Sequence, residues 1–357
     1  MIKNFQWDRA LDIQWQYQVS VGQTALREKV YIEVQEGRGN FRFDKDLEEY
    51  VPDPNGNYVL FIIPTGNFEP ITQLGTSLRL LLDPRKVLKK PDLEFTKLLA
   101  QISSDSYFRI EEESKDEDLS NLYFLKYSTF QGENTLKGSI VYNQDLWLMR
   151  QNQNHSFRLR YRYRDDLFNQ FLDKNDNENR LNIERSIWAN YRIIEKLKAQ
   201  TSVSNILIFR NNRANKTRNR DIKSIKVNQN FSYRPDPSWE FGVESEYGQE
   251  KDLANQKNLK IDYGRALLRT SYAILGKGKI SATYDYQMVN VLNNPFNVSI
   301  PFEMAGGKKE GMSKSWQIRG EYTIAENVVI SLFYNGRDDA GFDKVIHTGQ
   351  AEIRAYF

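Results

Sequence analysis

The chain has 357 residues, and its 50 Lys and Arg nearly balance 47 Asp and Glu, leaving a formal charge of +3 that argues against bulk nucleic-acid binding. It contains no cysteine, which removes disulfide scaffolds and thiolate metal sites. The mean hydropathy of -0.67 is polar, and no run of about 18 apolar residues occurs, which excludes a helical membrane span. A strand span survives that test, because alternating lipid-facing and interior-facing side chains hide in an average. The 20 Tyr, 20 Phe and 6 Trp suit two interfacial aromatic girdles.

Residues 1–10 show no basic segment followed by an apolar core and cleavage site, so no export signal is expected there. An exported protein would then be either a mature chain or the carboxy-terminal piece of a longer one. Leu11, Ile13, Trp15, Tyr17, Val19 and Val21 alternate with Asp12, Gln14, Gln16, Gln18 and Ser20, and Gly22-Gln23 reads as a turn into 29–35. Residues 1–36 are therefore expected to form a β-hairpin that can join a larger barrel. A turn-rich insert is expected over 37–118, where Gly37, Gly39, Asp53-Pro54-Asn55-Gly56, Pro64, Gly66 and Pro70 punctuate short apolar pieces. Gly37 and Gly39 lack the third glycine and following helix of a dinucleotide fingerprint. Strands read at 76–82 and 107–110. Pro91, with Leu93, Lys97, Leu98 and Ile102 at helical offsets, predicts one short helix over 92–102. The acidic run 111–118 reads as a solvated loop.

Residues 119–357 read as strand after strand, at 121–129, 136–150, 156–165, 180–193, 196–210, 221–234, 238–248, 258–275, 278–292, 314–324, 327–337 and 346–357. Several exceed the usual soluble length and suit tilted crossings of ~9–11 residues. Short turns at 151–154, Glu195, 234–237, Gly276-Lys277 and 325–326 alternate with longer polar loops at 166–179, 211–220, 249–257, 293–313 and 338–345. A transmembrane barrel segregates loop length by side in this way; a soluble meander has no reason to.

Within each strand the faces separate. Phe157, Leu159, Tyr161 and Tyr163 oppose Arg158, Arg160, Arg162 and Arg164; Trp239, Phe241, Val243 and Tyr247 oppose Glu240, Glu244 and Glu246; Trp316, Ile318, Tyr322 and Ile324 oppose Gln317, Arg319 and Glu321. Charge on a lipid face costs about 2–4 kcal/mol at midplane, so these charged residues, with Glu184 and Lys226, are expected to point inward. A soluble sandwich with the faces inverted has the same periodicity. Two positions break the pattern. Arg185 falls on the apolar parity of Leu181, Ile183 and Ile187, which a local bulge or an oligomer contact would explain; an apparent switch between Ile261/Tyr263 and Ala266/Leu268 suggests a bulge at Gly264-Arg265. A turn at Pro235 would set Lys226 opposite Glu246 and Asn228 opposite Glu244. The arginine ladder can attract anions or pair with carboxylates such as Glu184 and fill a narrow barrel.

Chemistry is sparse. His155 and His347 are far apart in sequence with no ligand at metal spacing, Asp173, Asn175 and Asn177 lack the Gly and closing Glu of a calcium loop, and no nucleophile elbow or phosphate loop occurs. No metal, cofactor or enzymatic activity is expected. Arg213, Lys216, Arg218 and Arg220 make one long loop basic enough to meet lipopolysaccharide phosphates, and the loop 293–313, with its Pro, Gly and Phe residues, can fold inward as a partial plug or outward as a tip.

The final stretch closes the argument. Gly349, Ala351, Ile353, Ala355 and Phe357 alternate with Thr348, Gln350, Glu352, Arg354 and Tyr356. With Ile353, Tyr356 and the terminal Phe357, this resembles the carboxy-terminal insertion signal of outer-membrane β-barrel proteins, and the Gly37 to Tyr58 pattern is similar to segments of large outer-membrane or surface proteins of no known activity. The resemblance implies an all-β antiparallel transmembrane barrel of about 12 or more strands in the outer membrane, with the lipid bilayer and the barrel-assembly machinery as partners. The expected role is a porin-like pore, or the membrane anchor of a larger cell-surface protein; a secreted adhesin-like binding module is the alternative.

Overall fold

The computed structural model describes residues 2–6, 8–45, 48–88, 93–116, 130–212, 214–254, 258–325 and 327–355. The strands are β1 (Ile2–Gln6), β2 (Leu11–Glu33), β3 (Phe41–Asp44), β4 (Glu49–Pro52), β5 (Tyr58–Leu82), β6 (Ile102–Ser114), β7 (Thr135–Leu148), β8 (His155–Phe168), β9 (Glu178–Ile194), β10 (Leu197–Asn211), β11 (Arg220–Asp236), β12 (Trp239–Asp252), β13 (Leu259–Ile274), β14 (Gly278–Asn293), β15 (Gly311–Ala325), β16 (Val328–Asp338) and β17 (Ile346–Ala355). They form one 17-stranded sheet. Each strand from β5 to β16 pairs antiparallel with the next, β2 pairs with both β1 and β5, and β3 and β4 form a small ladder at the edge of β5. The helix α1 (Glu94–Leu99) lies in the β5–β6 connection. It is shorter than the expected 92–102.

The strands read at 136–337 match β7 to β16 closely, while 121–129 lies outside the described residues. Other expectations need correction. Gly22-Gln23 is no turn: β2 runs through it, and its hairpin with β1 turns just before Leu11. Pro64, Gly66 and Pro70 do not end β5 either. Pairing with β6 stops at Thr72, so the prolines sit where one edge of β5 is unpaired and the missing N–H costs nothing. Glu111 to Ser114 belong to β6 and pair with β7, so the acidic run starts as wall, not loop.

Burial separates the two faces. On β12, Trp239, Phe241, Val243 and Tyr247 are exposed, while the intervening Glu240, Glu244 and Glu246 are half-buried and Glu250 and Asp252 buried. The same alternation leaves Ile187 57%, Val203 45% and Leu332 56% exposed on other strands. Neither a second sheet nor a packed layer of helices covers these apolar residues among the described parts. A soluble sandwich would bury that face, so the inverted arrangement is excluded. An apolar outer wall, a charged interior, and short turns at one end against long loops at the other make this a transmembrane β-barrel of the outer-membrane type. Long-range contacts show the curl: Arg337 donates to the Gly37 carbonyl and Lys344 Nζ lies 2.6 Å from Glu36, bringing the β16–β17 loop against the segment that leaves β2.

Arg185 stays in unbroken register, opposite Tyr161 on β8 and Asn205 on β10, so no bulge turns it inward. It is exposed, midway along β9, on the apolar wall. Arg185→Leu should therefore stabilise the folded barrel by about 2 kcal/mol or more in bilayers, read from the denaturant midpoint. A loss of stability would mean that the guanidinium has a partner on another molecule.

Candidate functional site: the charged interior and its outer mouth

The interior begins with two ladders. On β8, Arg158 stacks between Trp147 and Trp188, 4.8 and 4.7 Å from the ring centres. Arg160 grips Asp145 in a two-pronged contact of 2.8 and 3.3 Å, a geometry that fixes the fork strongly. Arg162 lies opposite Glu184 and Asn143 with no ion pair among the described residues, and Arg164 contacts Asp166 at 2.6 Å while 60% exposed. Glu184 instead accepts from Ser186. The ladder thus neither neutralises itself fully nor fills the interior; half of it faces water.

The β12 ladder is acidic and engaged. Glu240 contacts Arg234 at 2.8 Å, Glu244 contacts Arg269 at 3.3 Å, and Glu246 accepts from the Tyr263 hydroxyl at 2.7 Å. Glu250, 1% exposed, accepts from Lys226 at 3.0 Å. Register differs from expectation by two residues: Lys226 faces Gly248 and Asn228 faces Glu246. The cause is the turn. Asp236 caps it, its carboxylate accepting from Ser238 and Trp239 N–H groups, so it closes at Pro237-Ser238 rather than at Pro235. Gly248 is required there, since a Cβ would sit 2.4 Å from the Tyr263 ring that lies across it. Arg319 and Glu321 sit on one face of β15 and contact each other at 2.6 Å. Ile353 is outward, opposite Ile330, and 70% exposed; Tyr356 and Phe357 lie outside the described residues.

The expected bulge at Gly264-Arg265 does not exist. Register with β12 and β14 is continuous through it. Leu259, Ile261 and Tyr263 face inward like Arg265, and they are buried because the 294–310 loop folds over them. Met304 is fully buried against Ile222, Leu259, Ile261 and Val289. Ala305, Gly306 and Gly307 all have positive φ, at 49, 65 and 81°, making a sharp reversal that aims Ala305 N–H at Glu250, 2.6 Å away. Gln287 donates to the Ala305 carbonyl, and Glu303 contacts Arg210 at 3.1 Å and Arg220 at 3.6 Å. Of the two courses expected for this loop, inward or outward, it takes the inward one, and the apolar stripe it covers, rather than a bulge, accounts for the apparent switch on β13.

A second obstruction comes from β2 and β5. Beyond Val21 and Thr72 they pair with no neighbouring strand of the wall and leave it as a hairpin whose tip carries β3 and β4. Tyr31, Phe41, Phe43, Tyr50 and Tyr58 pack its tip, with Tyr31 and Tyr50 stacked at 4.0 Å. One side docks on the β8–β9 and β10–β11 loops: Arg27 exchanges backbone hydrogen bonds with Gln170 and Leu172, Lys29 contacts Asp176 at 3.0 Å, and Arg218 bridges Glu49 and Asp176. The other side meets the β14–β15 and β16–β17 loops through Lys309 and Asp53, 3.0 Å apart, and through Glu36 and Lys344. Loops eight strands apart are held by one hairpin, so it crosses the outer mouth. Burial lowers the Lys29 ammonium below its ordinary value, opposed by Asp176, and pushes the Tyr31 phenol up to about 12. Arg218 loses solvent in its seat, yet hydrogen bonds and charge from Asp176 and Glu49 outweigh that loss and push its pKa above the usual guanidinium range. Of the basic loop residues, Arg218 thus serves the hairpin and Arg220 the inward loop; Arg213 lies outside the described residues.

At the opposite end, a cavity of roughly 360 Å³ opens between Ser156, Asn190, Arg192, Gln200 and Ser232. His155 stands at its rim beside Asn152, whereas His347 accepts or donates to the Tyr334 hydroxyl at 2.8 Å on the outer wall. No three acidic, His or Cys side chains gather as a metal site among the described residues.

No family model matches the chain, and no curated protein matches it. Among solved structures it is similar to OmpT, expressed in the outer membrane of Vibrio cholerae, at TM-score 0.39 and 11% identity over 98% of each chain. It is similar to the outer membrane channel DcaP of Acinetobacter baumannii at TM-score 0.42 and 9% identity, covering 95% of this chain and 96% of that one. A third likeness is to the FrpB iron transporter of Neisseria meningitidis (F3-3 variant), at TM-score 0.45 and 10% identity over 97% of this chain and 57% of that one.

Proposed function

We propose that the protein is an outer-membrane pore for small charged solutes whose outer mouth is covered by its own hairpin. The observation that carries this reading is the interior: the sheet of 17 strands, less β3 and β4 in the hairpin tip, forms a wall that holds a basic ladder on β8 which remains partly in water, instead of a filled core. Barrels of roughly this strand number enclose aqueous channels, whereas about eight strands are filled by side chains. Arg158, Arg160, Arg162 and Arg164 form the anion-attracting strip, and Glu240, Glu244, Glu246 and Glu250 of β12, each held by a cation or a hydroxyl, balance it at a distance.

Planar-bilayer recordings test the proposal. Wild-type protein should give discrete conductance steps with anion preference. Exchanging Arg162 and Arg164 for Glu should lower the anion-to-cation permeability ratio roughly threefold or more. Absence of any conductance, even after the hairpin is removed, would leave the anchor role in its place.

A further inference from the structure

We propose that the outer wall carries a binding site for a phosphorylated glycolipid of the outer leaflet, built on Lys223, Lys251 and Lys260. The three lysines are direct cross-strand partners on β11, β12 and β13. Their direction follows from their neighbours. Ile222 and Ser224, Glu250 and Asp252, and Leu259 and Ile261 are each 2% exposed or less, so these flanking residues face the interior and the lysines between them face outward. Adjacent strands lie about 4.8 Å apart, which sets three ammonium stems within about 10 Å of one another. Like charges directly opposite destabilise a sheet. No ion pair within the described residues relieves them: Asp221, two residues from Lys223, makes none with the row, and the Asp262 carboxylate is taken by Asn290 at 3.0 Å and the Tyr247 hydroxyl at 3.4 Å.

The surface below the row changes in the order an amphiphile would need. Next comes a row of Ile225, the Gln249 amide, Asp262 and the Asn290 amide that engages it, then the exposed apolar side chains of Val227, Tyr247 and Met288. Cations for phosphates, amides for sugar and acyl-ester groups, and hydrocarbon for acyl chains follow one another down the same three or four strands. The row lies at the long-loop end of the wall, flanking the 253–258 loop, where the outer leaflet's headgroups sit. The inference rests on the long loops facing outward and is independent of whether the interior conducts.

The test uses the whole refolded chain and vesicles doped with lipopolysaccharide, with phosphatidylglycerol vesicles and inorganic phosphate as separate arms. Changing Lys223, Lys251 and Lys260 together to Gln should weaken binding to lipopolysaccharide vesicles about a hundredfold, from about fivefold per lysine near an anionic surface. Lys251→Gln alone should cost about fivefold, a triple change to Arg should keep binding, and Gln at Lys198, Lys277 and Lys279, at the short-turn end, should leave it unchanged. Heat-modifiable migration on a gel confirms that each variant is folded. Undiminished binding by the triple Gln variant overturns the proposal, as does equal binding of phosphatidylglycerol vesicles or displacement by inorganic phosphate.

Discussion

Replacing residues 22–71 by a two-residue Asn-Gly turn should raise single-channel conductance roughly threefold or more, because the widened mouth then exposes the aqueous interior that barrels of this size enclose. The excision is geometrically mild. Val21 and Thr72 are direct partners, so the new turn joins them in the register they already have, and all pairing of β2 with β1 and of β5 with β6 is kept. What is lost is the set of contacts that holds the hairpin across the mouth, among them Arg27 on the 170–172 backbone, Lys29 on Asp176, Glu49 on Arg218, Asp53 on Lys309, the Gly37 carbonyl on Arg337 and Glu36 on Lys344. High salt should move the wild type part of the way toward the excised form, since exposed pairs such as Glu36 and Lys344 are screened over about 8–10 Å at ordinary ionic strength. Unchanged conductance after excision would show that the hairpin is no barrier.

The second large effect concerns the inward loop. Glu250→Ala should unseat residues 294–310 and destabilise the folded barrel by about 3 kcal/mol, since breaking a buried pair strands the remaining charge. Glu250 serves three partners at once: the Lys226 ammonium, the Ser224 hydroxyl and Ala305 N–H, at 3.0, 3.0 and 2.6 Å. Without it, the left-handed turn at Ala305 has nothing to aim at, and Met304 can leave its apolar seat. Trypsin cleavage at Lys308 and Lys309, together with the denaturant midpoint, reads the change. Glu250→Gln keeps an acceptor for Ala305 and should fall between wild type and Ala. A loop equally protected in all three proteins would show that Met304 alone seats it.

Most of the wall was legible because a strand's period of two is written in adjacent residues. The alternation at Phe157–Arg164 and Trp239–Tyr247 needed no knowledge of any neighbour, and the order of short turns and long loops came from the same string. Exceptions arose wherever a neighbour outside the strand changed what a residue touches. Ile261 and Tyr263 looked misplaced because the loop that covers them, with Met304, lies some forty residues downstream. Pro64 and Pro70 looked like breakers because a sequence does not show which strand edge is left without a partner. The shift of Lys226 from Glu246 to Gly248 came from an Asp236 side chain closing the turn two residues late.

By itself, then, the sequence determined which residues form strands, which face of each is greasy, and on which side the long loops fall, since these depend on local geometry and composition. Tertiary structure alone decided that the greasy face is bare and hence lipid-facing, that β2 and β5 outrun the wall to bridge loops eight strands apart, and that three lysines from separate strands stand side by side. Those are matters of register and contact between distant segments, which alternation within a strand cannot encode.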